Sequence, residues 1–231
     1  VKQDGQEAFK EIAKQMSGLR VSESMVKRAT ANFPENILDW KELEIKSLAS
    51  QLRRETKPII IAVNKLDLSV TASNIGRIKK EFPHYKVIGC SADFELALRE
   101  ANKNGLIQYA PGDSSFKIVG NLTDQQKRGL EVIKSFLDTH KSTGVQELLN
   151  GAVFDLLKYV AIYPGGINKL ADKDGNILPD CFLMKPGSTA LDFAFALHSE
   201  IGKGFIKAID VKTKRVVGKD YKLSHLDVIE I

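Results

Sequence analysis

An uninterrupted apolar run, residues 58–63, constrains the fold most, and it ends in the tetrapeptide Asn-Lys-Leu-Asp at residues 64–67. A strand without polar alternation is typical of a parallel sheet that is covered on both faces. Three apolar residues then recur at helical spacing: Ile75, Ile78 and Phe82. Residues 86–90 indicate a second strand. Strand, helix and strand within about 33 residues predict a βαβ unit whose two strands are parallel neighbours.

The tetrapeptide carries side chains that suit one particular base. Guanine presents two N–H donors, N1 and N2, and the Asp67 carboxylate can accept from both in a charge-assisted pair. Adenine would leave that carboxylate unpaired and partly buried, at a cost of about 1–3 kcal/mol or more. We expect the Asn64 amide to bond the ring nitrogen N7 and the Lys65 stem to lie over the purine. The tetrapeptide therefore predicts recognition of guanine.

The dipeptide Ser91-Ala92 follows the next predicted strand and completes this predicted site. The O6 carbonyl of guanine needs a donor, which GTPases supply from a backbone N–H in a Ser-Ala segment at this place. Parallel neighbours bring both loops to the carboxyl edge of the sheet, where open α/β folds bind ligands. The predicted guanine-binding residues are Asn64, Lys65, Asp67, Ser91 and Ala92. The alternative is a strand-to-helix turn in which Asn and Asp only make local hydrogen bonds.

A phosphate-binding sequence is absent. No Gly-x-x-x-x-Gly-Lys-[Ser/Thr] motif occurs in the 231 residues, so no residue is predicted to be catalytic or to ligate a metal. The chain also begins with Val1 rather than Met, which agrees with a processed or incomplete chain. We expect the C-terminal part of a larger nucleotide-binding protein, with weak GTP binding and no GTP hydrolysis by this chain alone.

The rest of the chain divides by pattern. Residues 1–55 predict helices, and residues 93–142 predict more helix with a loop at 111–120. A helix that starts near Thr143 carries the broadest apolar stripe, which we expect to lie against the sheet: Val145, Leu148, Leu149, Ala152, Leu156 and Leu157. Residues 160–231 predict a second domain. Its strand-like runs are residues 160–163, 182–184, 205–211, 215–217 and 228–231.

One helix is indicated in this second domain, after Gly187, with Ser188 or Thr189 as its cap. Its apolar stripe is predicted from the spacing: Leu191, Ala194, Phe195 and His198. Several strands with one helix in about 70 residues suggest a small α+β fold of the β-grasp kind.

The net charge of +5 and pI near 9.0 permit an acidic partner such as RNA. Positive residues concentrate in the second domain and are candidates for RNA phosphate binding: Lys203, Lys207, Lys212, Lys214, Arg215 and Lys219. The alternative is a solvated, lysine-rich sheet edge that discourages aggregation. No apolar run is long enough to span a membrane and no signal peptide is evident, so a cytoplasmic protein without membrane contact is expected.

Two groups of residues resemble known families. Residues 61–67, 90–92 and 142–148 resemble the last third of an Obg-family GTPase domain. Residues 182–189, followed by Asp192, Phe193, Ala194 and His198, resemble the TGS domain. A C-terminal TGS domain behind a G domain with a helical insertion is similar to the archaeal branch of YchF-type GTPases. Developmentally regulated GTP-binding proteins, which also end in TGS, are the second family that this order resembles.

The resemblance implies an α/β fold, in which an incomplete P-loop-type G domain with helical insertions precedes a small β-grasp TGS domain. Residues 1–55 would be a helical insertion of the G domain, residues 56–159 its C-terminal, base-recognition part, and residues 160–231 the TGS domain. The family implies GTP or ATP hydrolysis, with Mg²⁺ ligands upstream of this chain, and association with ribosomes or RNA.

Many YchF-type members replace the Asp of the motif by Glu and prefer ATP, so the Asp67 of this chain argues for guanine. The remaining alternative is an RNA- or ribosome-binding module in which the G-domain remnant is only a scaffold.

Overall fold

The computed structural model describes residues 2–231, with side chains from Glu7 onward except that of Ala72. The chain forms two compact units. One comprises the residues up to Ile61 together with 76–87, and the other comprises residues 62–75 and 88–231. No helix in the described part of the chain is both long and apolar enough to cross a membrane.

The first unit is mainly helical, as predicted. Its helices are α1 (Lys2–Gln15), α2 (Glu23–Ala29) and α3 (Glu42–Thr56). The Ser22 side chain caps α2 by accepting a hydrogen bond from the Met25 N–H at 3.3 Å. The three helices bury a common apolar core: Val21, Val26, Ala29, Leu48 and Leu52. These helices therefore use their apolar stripes to pack against one another.

The predicted strand–helix–strand unit is present. It consists of β1 (Ile60–Val63), α4 (Ser69–Glu81) and β2 (Lys86–Gly89). The two strands are neighbours in a two-stranded sheet. The expectation that β1 is covered on both faces was wrong, because Ala62 is exposed and the other three residues are only partly buried. The faces of a sheet are covered by the helices that pack on them, and the described residues leave Ala62 uncovered.

A helical layer follows. It contains α5 (Ala92–Lys103), β3 (Ile107–Gln108), β4 (Lys117–Ile118) and α6 (Asp124–His140). Strands β3 and β4 form an antiparallel hairpin inside the region that was predicted as helix and loop. Thr123 caps α6 together with Gln126, as the sequence predicted. The core of this layer is apolar: Leu98, Ile107, Leu130, Ile133, Phe136 and Leu137.

The next helix, α7 (Val145–Asn150), continues into a π-helical turn, Gly151–Leu156. The expectation that its stripe is covered by a sheet was wrong for two of its leucines. The side chains of Leu149 and Leu157 are 50% and 43% exposed, and α7 has no buried residue. Its neighbours in the described part of the chain leave that side of the helix open.

The C-terminal region forms a five-stranded sheet with two helices. The strands are β5 (Val160–Pro164), β6 (Phe182–Met184), β7 (Ala208–Asp210), β8 (Arg215–Val217) and β9 (Asp227–Glu230), in the order β6-β5-β9-β7-β8. The helices are α8 (Ala190–Leu197) and α9 (Ser199–Lys203). All pairs are antiparallel except β5 with β9, which are parallel. This mixed sheet, with α8 packed on it, is the predicted β-grasp architecture.

The inward face of α8 differs from the predicted stripe. Thr189 caps the helix, but its buried residues are Ala190, Phe193 and Ala194, whereas Phe195 is 47% exposed. His198 is also exposed and caps α9 instead, accepting a hydrogen bond from the Glu200 N–H at 3.3 Å. The chain turns at His198 and the Phe195 ring lies against Gly202 of α9, which explains the difference.

Candidate nucleotide-binding site

The turn that follows β1 is tight and enters α4 directly. Lys65 adopts a left-handed conformation with φ of 63°, which is uncommon for a residue other than glycine. Its carbonyl accepts hydrogen bonds from the Leu68 N–H at 3.0 Å and from the Thr71 hydroxyl at 2.6 Å. These bonds hold the chain reversal, so Asn64 and Asp67 project from a defined backbone.

Backbone hydrogen bonds join this turn to the loop after β2. The Cys90 N–H donates to the Val63 carbonyl at 2.9 Å, and the Leu66 N–H donates to the Cys90 carbonyl at 3.0 Å. The carboxyl ends of the two strands therefore lie side by side, as they do in a parallel pair. The structure brings together all five residues that the sequence proposed for guanine binding.

The Asn64 side chain links the two loops. Its Oδ1 atom accepts hydrogen bonds from the Lys65 N–H at 2.8 Å and from the Ala92 N–H at 3.1 Å. The donor for O6 of guanine was expected from a backbone N–H of the Ser91-Ala92 segment, and the Ala92 N–H is the one that faces Asn64, since the Ser91 N–H donates to the Thr143 carbonyl. In this arrangement a bound base would have to share that donor with Asn64, or turn the amide aside.

Asp67 is held by a buried hydroxyl. The Ser91 Oγ donates to Asp67 Oδ1 at 2.6 Å, and Ser91 is fully buried. Such short, charge-assisted bonds fix a carboxylate in one orientation. Asp67 Oδ2 has no hydrogen-bond donor in the described part of the chain, and an ionised carboxylate oxygen can accept more than one bond. Both oxygens can therefore serve an incoming pair of donors.

The sequence reasoning missed a buried polar cluster behind this loop, the Glu95 network, made of Glu95, Arg99, Tyr109 and Thr143. Glu95 is 4% exposed, and its carboxylate accepts three hydrogen bonds. The donors are Arg99 Nε at 2.6 Å, the Tyr109 hydroxyl at 2.9 Å and the Thr143 hydroxyl at 2.6 Å. Only Thr143 had a sequence signal, because it belongs to the Ser-Thr-Gly segment that resembled a G domain.

The network shifts the pKa values of its members. Burial raises the pKa of Glu95, but hydrogen bonds from Thr143, Arg99 and Tyr109 and the charge of Arg99 outweigh burial and hold it below its usual value. Burial and the neighbouring Glu95 raise the pKa of Tyr109 to about 12. Glu95 is thus an ionised, buried group whose charge is balanced locally.

Gly144 lets this cluster approach the site. It has φ of 79°, and a Cβ at this position would lie 2.1 Å from the Gly89 carbonyl oxygen and 3.0 Å from Cys90 Cα. Glycine alone fits such a close backbone approach. The approach places the Thr143 carbonyl where it accepts a hydrogen bond from the Ser91 N–H at 2.9 Å.

The candidate RNA-binding residues lie in the C-terminal sheet region, and all six are exposed. Lys212 and Lys214 occupy the turn between β7 and β8, and Arg215 begins β8. Asp210 shapes this turn by accepting from the Lys212 N–H at 3.0 Å and from the Thr213 hydroxyl at 2.7 Å. Lys203 ends α9, whereas Lys207 and Lys219 lie in loops. The hairpin turn therefore holds the densest group of cations among the six.

The described residues contain no group of three or more His, Cys, Asp or Glu side chains that could hold a metal ion.

Two family models match the chain in succession. Residues 62–165 match the model "Obg-like GTPase YGR210-like, G4 motif-containing domain". Residues 170–231 match the TGS domain model. The first match contains the site described above and the second contains β6 to β9.

Three relatives agree with these matches. An uncharacterized GTP-binding protein of Methanocaldococcus jannaschii is 45% identical over 223 residues, which are 96% of this chain and 57% of that protein. An uncharacterized GTP-binding protein of Schizosaccharomyces pombe is 27% identical over 165 residues, which are 65% of this chain and 39% of that protein.

The crystal structure of a GTP-binding protein from Pyrococcus horikoshii OT3 superposes with a TM-score of 0.65 and 41% identity, covering 96% of this chain and 60% of that one. This chain thus spans about 57% and 60% of the two archaeal relatives. The fold and these matches show an α/β fold in which a G-domain-like region, similar over residues 62–165 to the Obg-like GTPase model, is followed by a TGS domain.

Proposed function

We propose that this chain recognises the guanine base of GTP and GDP and is the base-reading part of a GTP-binding protein. The observation that carries the proposal is the Asp67 carboxylate, fixed by the buried Ser91 hydroxyl at 2.6 Å beside the Asn64–Ala92 contact. The archaeal relatives, named as GTP-binding proteins, support it. The order of the two domains also supports the finer assignment to the archaeal YchF-type branch.

In this proposal Asp67 accepts from N1–H and N2–H of guanine. The Ala92 N–H donates to O6, and the exposed Lys65 stem covers one face of the ring. Adenine offers a lone pair at N1, so it would leave the carboxylate without its donors. A site built to satisfy specific donors rejects an analogue that lacks them by large factors.

We infer that nucleotide binding by the 231-residue polypeptide is weak and that it does not hydrolyse GTP, because its sequence has no phosphate-binding loop. Contacts to the base alone must offset the cost of immobilising the ligand. Hydrolysis with Mg²⁺ would need groups that position and neutralise the γ-phosphate. Turnover of GTP by the purified 231-residue chain would contradict this part of the proposal.

A specificity swap tests base recognition directly. Xanthine presents one donor at N1 and an acceptor at O2, which the amide of Asp67→Asn can satisfy. Titrations followed by amide NMR should show that the wild type prefers GDP to ADP. Asp67→Asn should lose at least about tenfold in GDP affinity, the equivalent of one good hydrogen bond, and should prefer xanthosine diphosphate.

Asp220→Asn is the matched control, since Asp220 is exposed on the TGS domain and far from this loop in sequence. It should leave all three affinities unchanged. Equal binding of GDP and ADP by the wild type, or no gain of xanthosine diphosphate binding by Asp67→Asn, would overturn the proposed site.

A second function is proposed for the TGS domain, namely contact with RNA, including ribosomal RNA in the cytoplasm. The exposed cations at the turn between β7 and β8 support it: Lys212, Lys214 and Arg215. Replacing all three by Gln should weaken RNA binding at low salt and reduce the slope of log affinity against log salt by roughly 2–3.

A matched control replaces three exposed lysines elsewhere: Lys79, Lys80 and Lys103. That control should keep the wild-type slope. An unchanged slope in the hairpin variant, or an equal loss in both variants, would remove this turn as the RNA-contacting surface and leave the lysines as a solvated sheet edge.

A further inference from the structure

We infer that Glu95 is a positioning residue for base recognition, because its buried carboxylate holds the Ser91–Ala92 loop through Thr143 and ties that loop to Tyr109. This inference rests on the proposed function, since it names the support of that same site. It also assigns a role to the Glu95 network, which the contacts to the base do not themselves use.

Burial of the charged Glu95 carboxylate costs free energy, because the group loses its contact with water. The side chain is 5% exposed, and an isolated buried carboxylate would be strongly destabilising. Three donors satisfy it, one to Oε1 from Arg99 and two to Oε2 from Tyr109 and Thr143. A buried ionic group of this kind adds little net stability compared with an apolar side chain of similar volume. Its three bonds do fix a single geometry for the groups around it.

A continuous chain of short hydrogen bonds leads from Glu95 to the base-reading carboxylate. The Thr143 hydroxyl donates to Glu95 at 2.6 Å, and the Thr143 carbonyl accepts from the Ser91 N–H at 2.9 Å. The Ser91 hydroxyl then donates to Asp67 at 2.6 Å. Ser91 and Thr143 are both fully buried, so water cannot replace either link.

The network also fixes the loop from its other end. The Glu95 N–H donates to the Ser91 carbonyl at 3.2 Å, at the start of α5. Ala92, which carries the proposed O6 donor, lies between these two residues in the helix start. The direction of the Ala92 N–H therefore depends on the positions of Ser91 and Thr143, and Glu95 fixes both of these residues. Sites whose supporting groups are loose lose geometry and with it selectivity.

Tyr109 extends the same constraint into the layer formed by α5, β3 and β4. Its hydroxyl donates to Glu95 and accepts from the Gly112 N–H at 3.3 Å, and its own N–H donates to Asn102 Oδ1 at 3.0 Å. A substitution that removes the Tyr109 hydrogen bonds should therefore change the position of the Ala92 N–H, although the two residues are 17 positions apart in the sequence.

The test compares GDP with 6-thio-GDP, whose sulfur is a poor acceptor in place of O6. The wild type should bind GDP more tightly, because Ala92 donates to O6. Glu95→Gln, Thr143→Val and Tyr109→Phe should each weaken GDP binding, by about tenfold for the first two, and should change 6-thio-GDP binding much less. The ratio of the two affinities should then approach one. A purely structural defect would lower both affinities alike.

Thr143→Ser keeps the hydroxyl and should restore the wild-type ratio, while Thr139→Val on the exposed surface of α6 is the matched control and should leave it unchanged. If Thr143→Val does not fold, Tyr109→Phe removes the hydroxyl that donates to Glu95 and accepts from the Gly112 N–H, and it still decides the question. A wild-type ratio in folded Glu95→Gln and Tyr109→Phe would overturn the positioning role and leave the proposed function intact. Failure of the wild type to prefer GDP over ADP would instead overturn the proposed function.

Discussion

Lys65 shows what a single residue contributes to the turn that follows β1. The turn needs a left-handed backbone at this position, with φ of 63°, and lysine adopts it at a cost of about 1–2 kcal/mol relative to glycine. A glycine would relax the backbone and lose the stem that we propose to lie over the purine. In the proposed site, lysine thus lowers local stability and supplies a contact to the base.

Lys65→Gly should raise the free energy of unfolding by up to about 1 kcal/mol, because relief of the left-handed strain exceeds the added entropy of the unfolded chain. It should weaken GDP binding at the same time. Urea denaturation followed by circular dichroism measures the first effect. Lys57→Gly is the control, since Lys57 has φ of −132° and gains no relief. A destabilised Lys65→Gly would contradict the interpretation.

Tyr109 should titrate well above the ordinary pKa of tyrosine. Its pKa is raised to about 12, from 10.0, by burial and by Glu95. For a group whose pKa is raised in the folded state, the contribution to stability is complete below pH 10 and declines as pH rises from 10 to 12. That contribution is roughly 2–3 kcal/mol. The difference in ultraviolet absorbance between the wild type and Tyr109→Phe should show that one tyrosinate forms near pH 12 while the protein stays folded. A transition near pH 10 would contradict this.

The elements that the sequence predicted are those with a repeated pattern. β1, α4 and β2 follow from an apolar run, a helical spacing and a second apolar run, and the C-terminal strands follow likewise. The β3–β4 hairpin has strands of two residues, which are too short to carry any alternation. The buried face of α8 was predicted wrongly because it depends on tertiary contacts. The chain turns at His198, and Phe195 packs on Gly202 of the next helix.

The candidate site divides in the same way. Five residues could be proposed from the sequence because each follows a predicted strand: Asn64, Lys65, Asp67, Ser91 and Ala92. The Glu95 network was not found, because its bonds join residues 14 and 48 positions apart and neither spacing is local. Only the folded chain brings Tyr109 and Thr143 to Glu95. The spacing of Glu95 and Arg99, four residues, is local but is also that of an ordinary ion pair on a helix surface, so it did not indicate a buried network.

Gly144 allows the segment before α7 to pack closely against the end of β2, and the candidate site depends on this contact. Gly144→Ala should lower the free energy of unfolding by about 3 kcal/mol or more, because the added Cβ would meet the Gly89 carbonyl oxygen at 2.1 Å and φ is 79°. Gly129→Ala is the matched control. Gly129 lies inside α6 with no atom near its missing Cβ, so alanine should stabilise by about 0.5–1 kcal/mol.

Thermal and urea unfolding of the two glycine variants measure the contrast. A Gly144→Ala protein as stable as the wild type would mean that the 143–144 segment does not press on the end of β2, and the support of Ser91 would need another source.

Across the whole molecule, apolar burial is uneven. The α5–α6 layer and the C-terminal sheet each have an apolar core, whereas Leu149 in α7 and Leu157 at the end of its π-helical extension stay about half exposed. Exposed leucines favour association with other apolar surfaces. These exposed leucines should therefore lower the solubility of the chain and have little effect on its free energy of unfolding.

Leu149→Gln should change the free energy of unfolding by less than about 0.5 kcal/mol and should reduce the binding of a hydrophobic dye. Leu137→Gln, in the buried core of α6, is the contrasting variant and should destabilise the chain by several kcal/mol. Dye fluorescence and urea denaturation of both variants check the pair. Strong destabilisation by Leu149→Gln would show that the side of α7 is covered after all.

The position of β9 constrains how the C-terminal domain is made in the cell. Residues 227–230 form the middle strand of the sheet, between β5 and β7, although the other four strands precede them in the chain. Before those residues leave the ribosome, β6 with β5 and β7 with β8 are two hairpins with nothing to join them. This domain must therefore assemble after its last strand has been synthesised, and a nascent chain paused just short of residue 227 should remain open to proteases there.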